Sequence, residues 1–138
     1  MIAVVCVDEK NGMMFHGRRQ SQDRSLRVNL LRECGEKRLY MNEYSARMFK
    51  EASGSQIIAS EDFLCNAGVG EFCFVEDRDV GDFLQKLESV IVYKWNRCYP
   101  ADVYFSINLT NENWVLVRTE EFRGSSHDRI TKEVYQKL

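Results

Sequence analysis

The chain opens with Met1-Ile2-Ala3-Val4-Val5-Cys6-Val7-Asp8-Glu9-Lys10-Asn11-Gly12. Residues 2–7 are a nearly continuous apolar run rich in valine, the pattern of a strand covered on both faces. Asp8 to Gly12 then reads as a turn. No basic segment precedes the run and an acid follows it at once, so it reads as a strand and not as a secretion signal. A strand buried on both faces needs helices on both sides of its sheet.

Working outward, Met13 to Gln20 reads as a loop carrying Gly17-Arg18-Arg19. Ser21-Gln22-Asp23 predicts a helix start, with a serine cap and an acid in the first turn. Leu26, Leu30, Leu31 and Cys34 recur on one helical face, and Gly35 ends the helix. Arg38 to Met41 reads as a short strand, Tyr44 to Ala52 as a short helix with Tyr44, Met48 and Phe49 inward, and Gln56 to Ala59 as another buried strand. Ser60-Glu61-Asp62 caps at most one turn. Phe72 to Val75 is a strand. Val80, Phe83, Leu84 and Leu87 mark an amphipathic helix, and Val90 to Trp95 is a strand again. This alternation predicts a single α/β domain over residues 1–138, with a mainly parallel central sheet and helices on both faces. Val103 to Phe105, Trp114 to Phe122 and Ile130 to Tyr135 follow as strands without helices between them, which predicts an antiparallel C-terminal edge.

The totals exclude several classes. The 138 residues carry 19 Lys and Arg against 21 Asp and Glu, a formal charge of −2, so no global electrostatic drive toward nucleic acid exists. No apolar run approaches the roughly 18 residues of a membrane span. The 5 cysteines show no C-x-x-C pair, and Cys6, Cys34 and Cys73 sit in apolar patterns, which predicts free thiols and a cytoplasmic setting. The only histidines are His16 and His127, too few for a histidine-rich metal centre, and the cysteine spacing of a structural zinc site is missing.

The residues then support a specific likeness. The opening strand and turn, Phe15-His16-Gly17-Arg18, Tyr40-Met41-Asn42-Glu43-Tyr44-Ser45, Ala101-Asp102-Val103-Tyr104-Phe105 and the last two strands resemble, in order, segments of dihydrofolate reductase. The resemblance implies a dihydrofolate reductase-like fold, and for an intact member it implies NADPH and folate binding. Family membership does not settle function, because function lives in the site.

The site positions depart from the family. The family's catalytic acid stands at the start of the first helix; Asp23 is the nearest candidate, whereas counting back from Met41 lands on Leu26. Asp23 also serves as a favourable charge at a helix N-terminus. The family's Gly-Gly pair at the cofactor diphosphate is replaced by Glu76-Asp77. A carboxylate about 4 Å from a phosphate costs roughly 4 kcal/mol at an effective dielectric near 20. Glu43 stands where the resemblance implies an arginine for the adenosine phosphate. Ser45 keeps the hydroxyl of the family's threonine, as a helix cap also would. Ser53-Gly54-Ser55-Gln56 lacks the arginine for the folate tail, Tyr93 replaces a threonine beside the acid, and about twenty residues of the family are missing near 60–72.

These departures agree, and they imply loss of folate reduction and of NADPH binding, with no cofactor expected. The expected role is then a small-ligand-binding or protein-interaction module. The alternative is a divergent NADPH-dependent reductase of a pteridine-like substrate with Asp23 as the acid. Arg18, Arg19, Arg24 and Arg27, with Ser45, are the candidates for an anionic ligand or acidic partner, set against ordinary solvated surface charge. Ser125-Ser126-His127-Asp128 does not make a triad, because neighbours in sequence cannot converge as the roles require. Neither nucleic acid nor membrane is an expected partner. An exposed Tyr99 or Trp95 is an expected anchor for a protein contact, and a sheet edge there for pairing with a second copy as a homodimer.

Overall fold

The computed structural model describes residues 1–52 and 56–138. Its main sheet has seven strands: β1 (Ile2–Val7), β4 (Leu39–Met41), β5 (Ile57–Ala59), β6 (Phe72–Phe74), β7 (Ser89–Lys94), β9 (Trp114–Phe122) and β10 (Ile130–Lys137). They lie in the order β5-β4-β6-β1-β7-β10-β9. The first five are parallel, and β10 and β9 add the antiparallel edge that the sequence predicts.

The period of two along each strand divides the core into two halves. Ala3, Val5 and Val7 face one layer with Val90 and Val92, under α3 (Phe63–Asn66) and Val80. Val4 faces the other with Ile91, Tyr93 and Trp95, under Leu26, Leu30 and Cys34 of α1 (Arg24–Cys34). Burial on both sides explains why residues 2–7 read as an unbroken apolar run.

Several elements differ from expectation for identifiable reasons. The predicted loop 13–20 is a hairpin of β2 (Gly12–Phe15) and β3 (Arg18–Arg19), with β8 (Val103–Tyr104) on its other side. His16 and Gly17 both take positive φ, 50° and 72°, the geometry of a tight two-residue hairpin turn. Hence β8 belongs to this small sheet and not to the antiparallel edge. Asp23, not Ser21, caps α1, accepting the Leu26 N–H. The second helix keeps only Glu43–Ala46, α2, before passing into three-residue turns at Met48 and Phe49. At 80–87 the chain forms a 3₁₀ helix, Gly81–Lys86, whose three-residue turn leaves Leu84 outside. β5 is half-buried because it lies at the sheet edge.

Among the described residues, no helix is long and apolar enough to cross a membrane. The described cysteines are free thiols, and burial pushes Cys34 and Cys73 up to about 12, so neither is a ready nucleophile.

Candidate functional site

In open α/β sheets ligands bind beyond the carboxyl ends of the strands. Here the residues just past those ends are Asp8 after β1, Asn42 after β4 and Trp95 after β7, with Glu76 two residues past β6; all four are buried. Buried polar groups need partners, and the structure shows what they are.

Asp8 accepts from the backbone N–H groups of Lys10, Gly12 and Tyr99 and from Gln20 Nε2. It closes the turn after β1. Gly12 is required there, since a Cβ would stand 2.6 Å from Ala101 Cβ and 2.8 Å from Gln20 Nε2. Asn42 caps α2 by accepting the Ser45 N–H at 2.8 Å. Ser45 is therefore not the cap; its hydroxyl donates to Glu76 at 2.6 Å.

Glu76 receives a second, stronger set of bonds. Arg19 Nε reaches Oε2 at 2.9 Å and Nη2 reaches Oε1 at 3.1 Å, a two-pronged pair, while the guanidinium lies 4.2 Å from the centre of the Tyr44 ring. The hairpin arginine thus reaches across the crevice onto this buried carboxylate. Asp77 is matched as well, by Arg78 at 2.7 and 2.8 Å. The expected like-charge repulsion is offset by these internal cations. Glu43 is exposed at the start of α2, and its N–H donates to Glu61.

The four arginines do not share one site. Arg18 is exposed and lines a hollow of about 550 Å³ with Phe15, His16, Arg19, Gln20 and Tyr99. Arg27 pairs with Glu51 at 2.8 and 3.0 Å. Arg24 is exposed and lines neither this hollow nor the next. A second hollow, about 390 Å³, lies between Arg19, Gln22, Arg27, Tyr44, Arg47 and Lys50. Arg47 and Lys50 were not among the sequence candidates. Both are exposed, and among the described residues neither forms an ion pair. Their signal is the spacing of three on the turns after α2, which places both cations toward one hollow.

Asp23 is fully enclosed. Oδ1 accepts from the N–H groups of Leu26 and Ser125, and Oδ2 from Ser126 N–H at 2.8 Å and His127 Nδ1 at 3.0 Å. Burial pushes its carboxyl up, but the His127 bond and the N–H groups of Ser126, Ser125 and Leu26 outweigh it and hold the group well below the usual carboxylate range. Gly124 makes this approach possible, because a Cβ there would lie 2.4 Å from Oδ2. Leu26, the other position the family spacing indicates, is buried in the core. The Tyr93 hydroxyl donates to Asn29 at 2.6 Å, and Asn29 in turn donates to Glu120, so it turns toward α1 and β9. Of the tail stretch, Ser53, Gly54 and Ser55 lie outside the described residues; Gln56 donates to the carbonyls of Leu31 and Gly35.

No protein-family model and no curated protein matches the sequence. Among solved structures the chain is similar to dihydrofolate reductase from Enterococcus faecalis complexed with NADP(H) and RAB-propyl. The TM-score is 0.65 at 10% identity, over 99% of this chain and 95% of that one. The chain has a dihydrofolate reductase-like fold, in a widely divergent sequence.

Proposed function

We propose that this chain has lost folate reduction and NADPH binding and acts as a binding module for a small anionic ligand. The observation that carries the reading is the contrast around Arg19: on one side it is bound to Glu76, on the other it borders a hollow with two cations that are unpaired among the described residues.

The cofactor does not fit the residues present. Where the family meets the diphosphate with glycines, this chain holds a buried carboxylate bonded to Arg19 and Ser45. A diphosphate there has to displace Arg19 and then face Glu76. Asp23 fits the proton-donor role no better, since its oxygens are committed to four N–H donors and its carboxyl stays ionised. These points weigh against the divergent-reductase alternative.

The hollow of Arg27, Arg47 and Lys50 has the chemistry for a multiply charged anion, with Gln22 and Tyr44 as further polar contacts. Titration with inorganic pyrophosphate at constant ionic strength tests this. At 100 times the dissociation constant it stabilises the chain by about 2.7 kcal/mol, and the Arg47→Ala/Lys50→Ala variant loses at least about tenfold in affinity, roughly 1.4 kcal/mol. An unchanged melting temperature at millimolar pyrophosphate contradicts the reading. An acidic protein surface can meet the same cations, and it would bind where the small anion does not.

A further inference from the structure

Gln22 lines the basic hollow, and its neighbour Ser21 belongs to a separate constellation that anion binding does not use. Ser21 Oγ lies 2.8 Å from His127 Nε2, and His127 Nδ1 lies 3.0 Å from Asp23 Oδ2. The three residues come from two chain segments more than a hundred positions apart, 104 for Asp23 to His127 and 106 for Ser21 to His127. We propose that Ser21 is an activated nucleophile that accepts the acyl group of small activated esters, with His127 as its base and Asp23 positioning that base.

The hydrogen-bond inventory assigns the protons. An ionised Asp23 carboxylate only accepts, so the imidazole presents Nδ1–H to it, and in the neutral ring this leaves the Nε2 lone pair for the serine hydroxyl. That is the tautomer a general base requires. The ring is fixed in its plane by Trp95, stacked at 4.6 Å with 27° between the planes. Asp23 and His127 are buried while Ser21 is half-exposed, so the relay is dry and its outer hydroxyl is reachable.

In the acylation step Ser21 Oγ bonds to the carbonyl carbon and its proton passes to His127 Nε2. The leaving alcohol departs with that proton as the carbon–oxygen bond of the ester breaks. Water then attacks the acyl-serine, giving one proton to His127, and Ser21 regains its hydroxyl as the carboxylic acid leaves. No oxidant or reductant is involved.

A tie between the β9–β10 turn and the start of α1 would show the same distances, so the test must read reactivity. Exposed Cys65 and Cys98 would themselves take an acyl group from a nitrophenyl ester, so the probe is an alkyl fluorophosphonate, which releases fluoride as serine Oγ bonds to phosphorus. On the native chain we expect one adduct, mapped to Ser21 by peptide mass spectrometry. It should form at least about a hundredfold faster than on the urea-unfolded chain, the scale of general-base assistance. Ser21→Ala should abolish the adduct, and His127→Gln, checked for folding by circular dichroism, should slow it by a similar factor. An adduct elsewhere, equal rates in native and unfolded chains, or unchanged labelling in a folded His127→Gln variant overturns the proposal. Should His127→Gln not fold, the native against unfolded rates at Ser21 decide alone.

Discussion

Two charged regions border the first helix, and they are built on opposite principles. Around the crevice beyond β1, β4 and β6, three carboxylates have partners: Glu76 with Arg19 and Ser45, Asp77 with Arg78, Asp23 with His127 and three backbone N–H groups. On the far side of Arg19, Arg47 and Lys50 line a hollow and pair with nothing among the described residues. Charges that satisfy each other hold a fold together, whereas charges left over are free to hold a ligand. Pairing in the first region fixes side chains in place, the Ser21–His127–Asp23 set included, whereas the second region keeps its charge for a ligand.

The largest effect should come from removing a partner in the satisfied region. Asp23→Ala leaves the N–H groups of Leu26, Ser125 and Ser126 and the His127 ring without their acceptor, and should cost about 3–5 kcal/mol in urea unfolding. A loss below about 1 kcal/mol, the size of an ordinary cap, would show that the tie to the β9–β10 turn is weak. Next, Glu76→Gln keeps the shape but strands the Arg19 charge, and should cost about 1.5–3 kcal/mol. The same variant frees Arg19 and should tighten pyrophosphate binding in titration calorimetry; weakened binding would mean that Glu76 itself shapes the hollow.

Acid should act on the satisfied region in a definite direction. Asp23, Asp8 and Glu33 all have carboxyls held below their ordinary values, against burial, by the hydrogen bonds and cations around them. A carboxyl depressed in the folded state contributes fully above its unfolded pKa, near 3.9–4.3, and that contribution is lost as pH falls below it. Stability should therefore start to drop as pH falls below about 5 and keep dropping through the depressed folded-state values, and Asp23→Asn should flatten the slope. The smallest effect is expected in the leftover region, where Arg47→Ala/Lys50→Ala should change stability by no more than about 0.5 kcal/mol while removing anion affinity.

Much of the architecture was legible because burial on two faces leaves a plain mark. Residues 2–7 read as a strand, as did Arg38 to Met41 and Val90 to Trp95 apart from Arg38 and Trp95 at their ends, and Leu26, Leu30 and Cys34 read as one helical face. The hairpin at His16-Gly17 was hidden because a histidine in a left-handed conformation has no strong sequence signature. The site was less legible for a different reason. The carboxylate at Glu76 is plain in the sequence, but its pairing with Arg19 spans 57 positions and depends on the hairpin crossing the crevice. His127 was set aside with its sequence neighbours, although its partners stand at Ser21 and Asp23. Contacts of that separation leave no periodicity, so only the folded chain displays them.

The proposed loss of NADPH binding rests on the paired charges of the crevice. Titration of NADPH, followed by tryptophan fluorescence and melting temperature, with dihydrofolate turnover measured alongside, tests it most directly. With that loss, there is no saturable fluorescence change, no rise in melting temperature at millimolar NADPH and no turnover. Saturable NADPH binding that stabilises the chain, with dihydrofolate turnover abolished by Asp23→Asn, would contradict it.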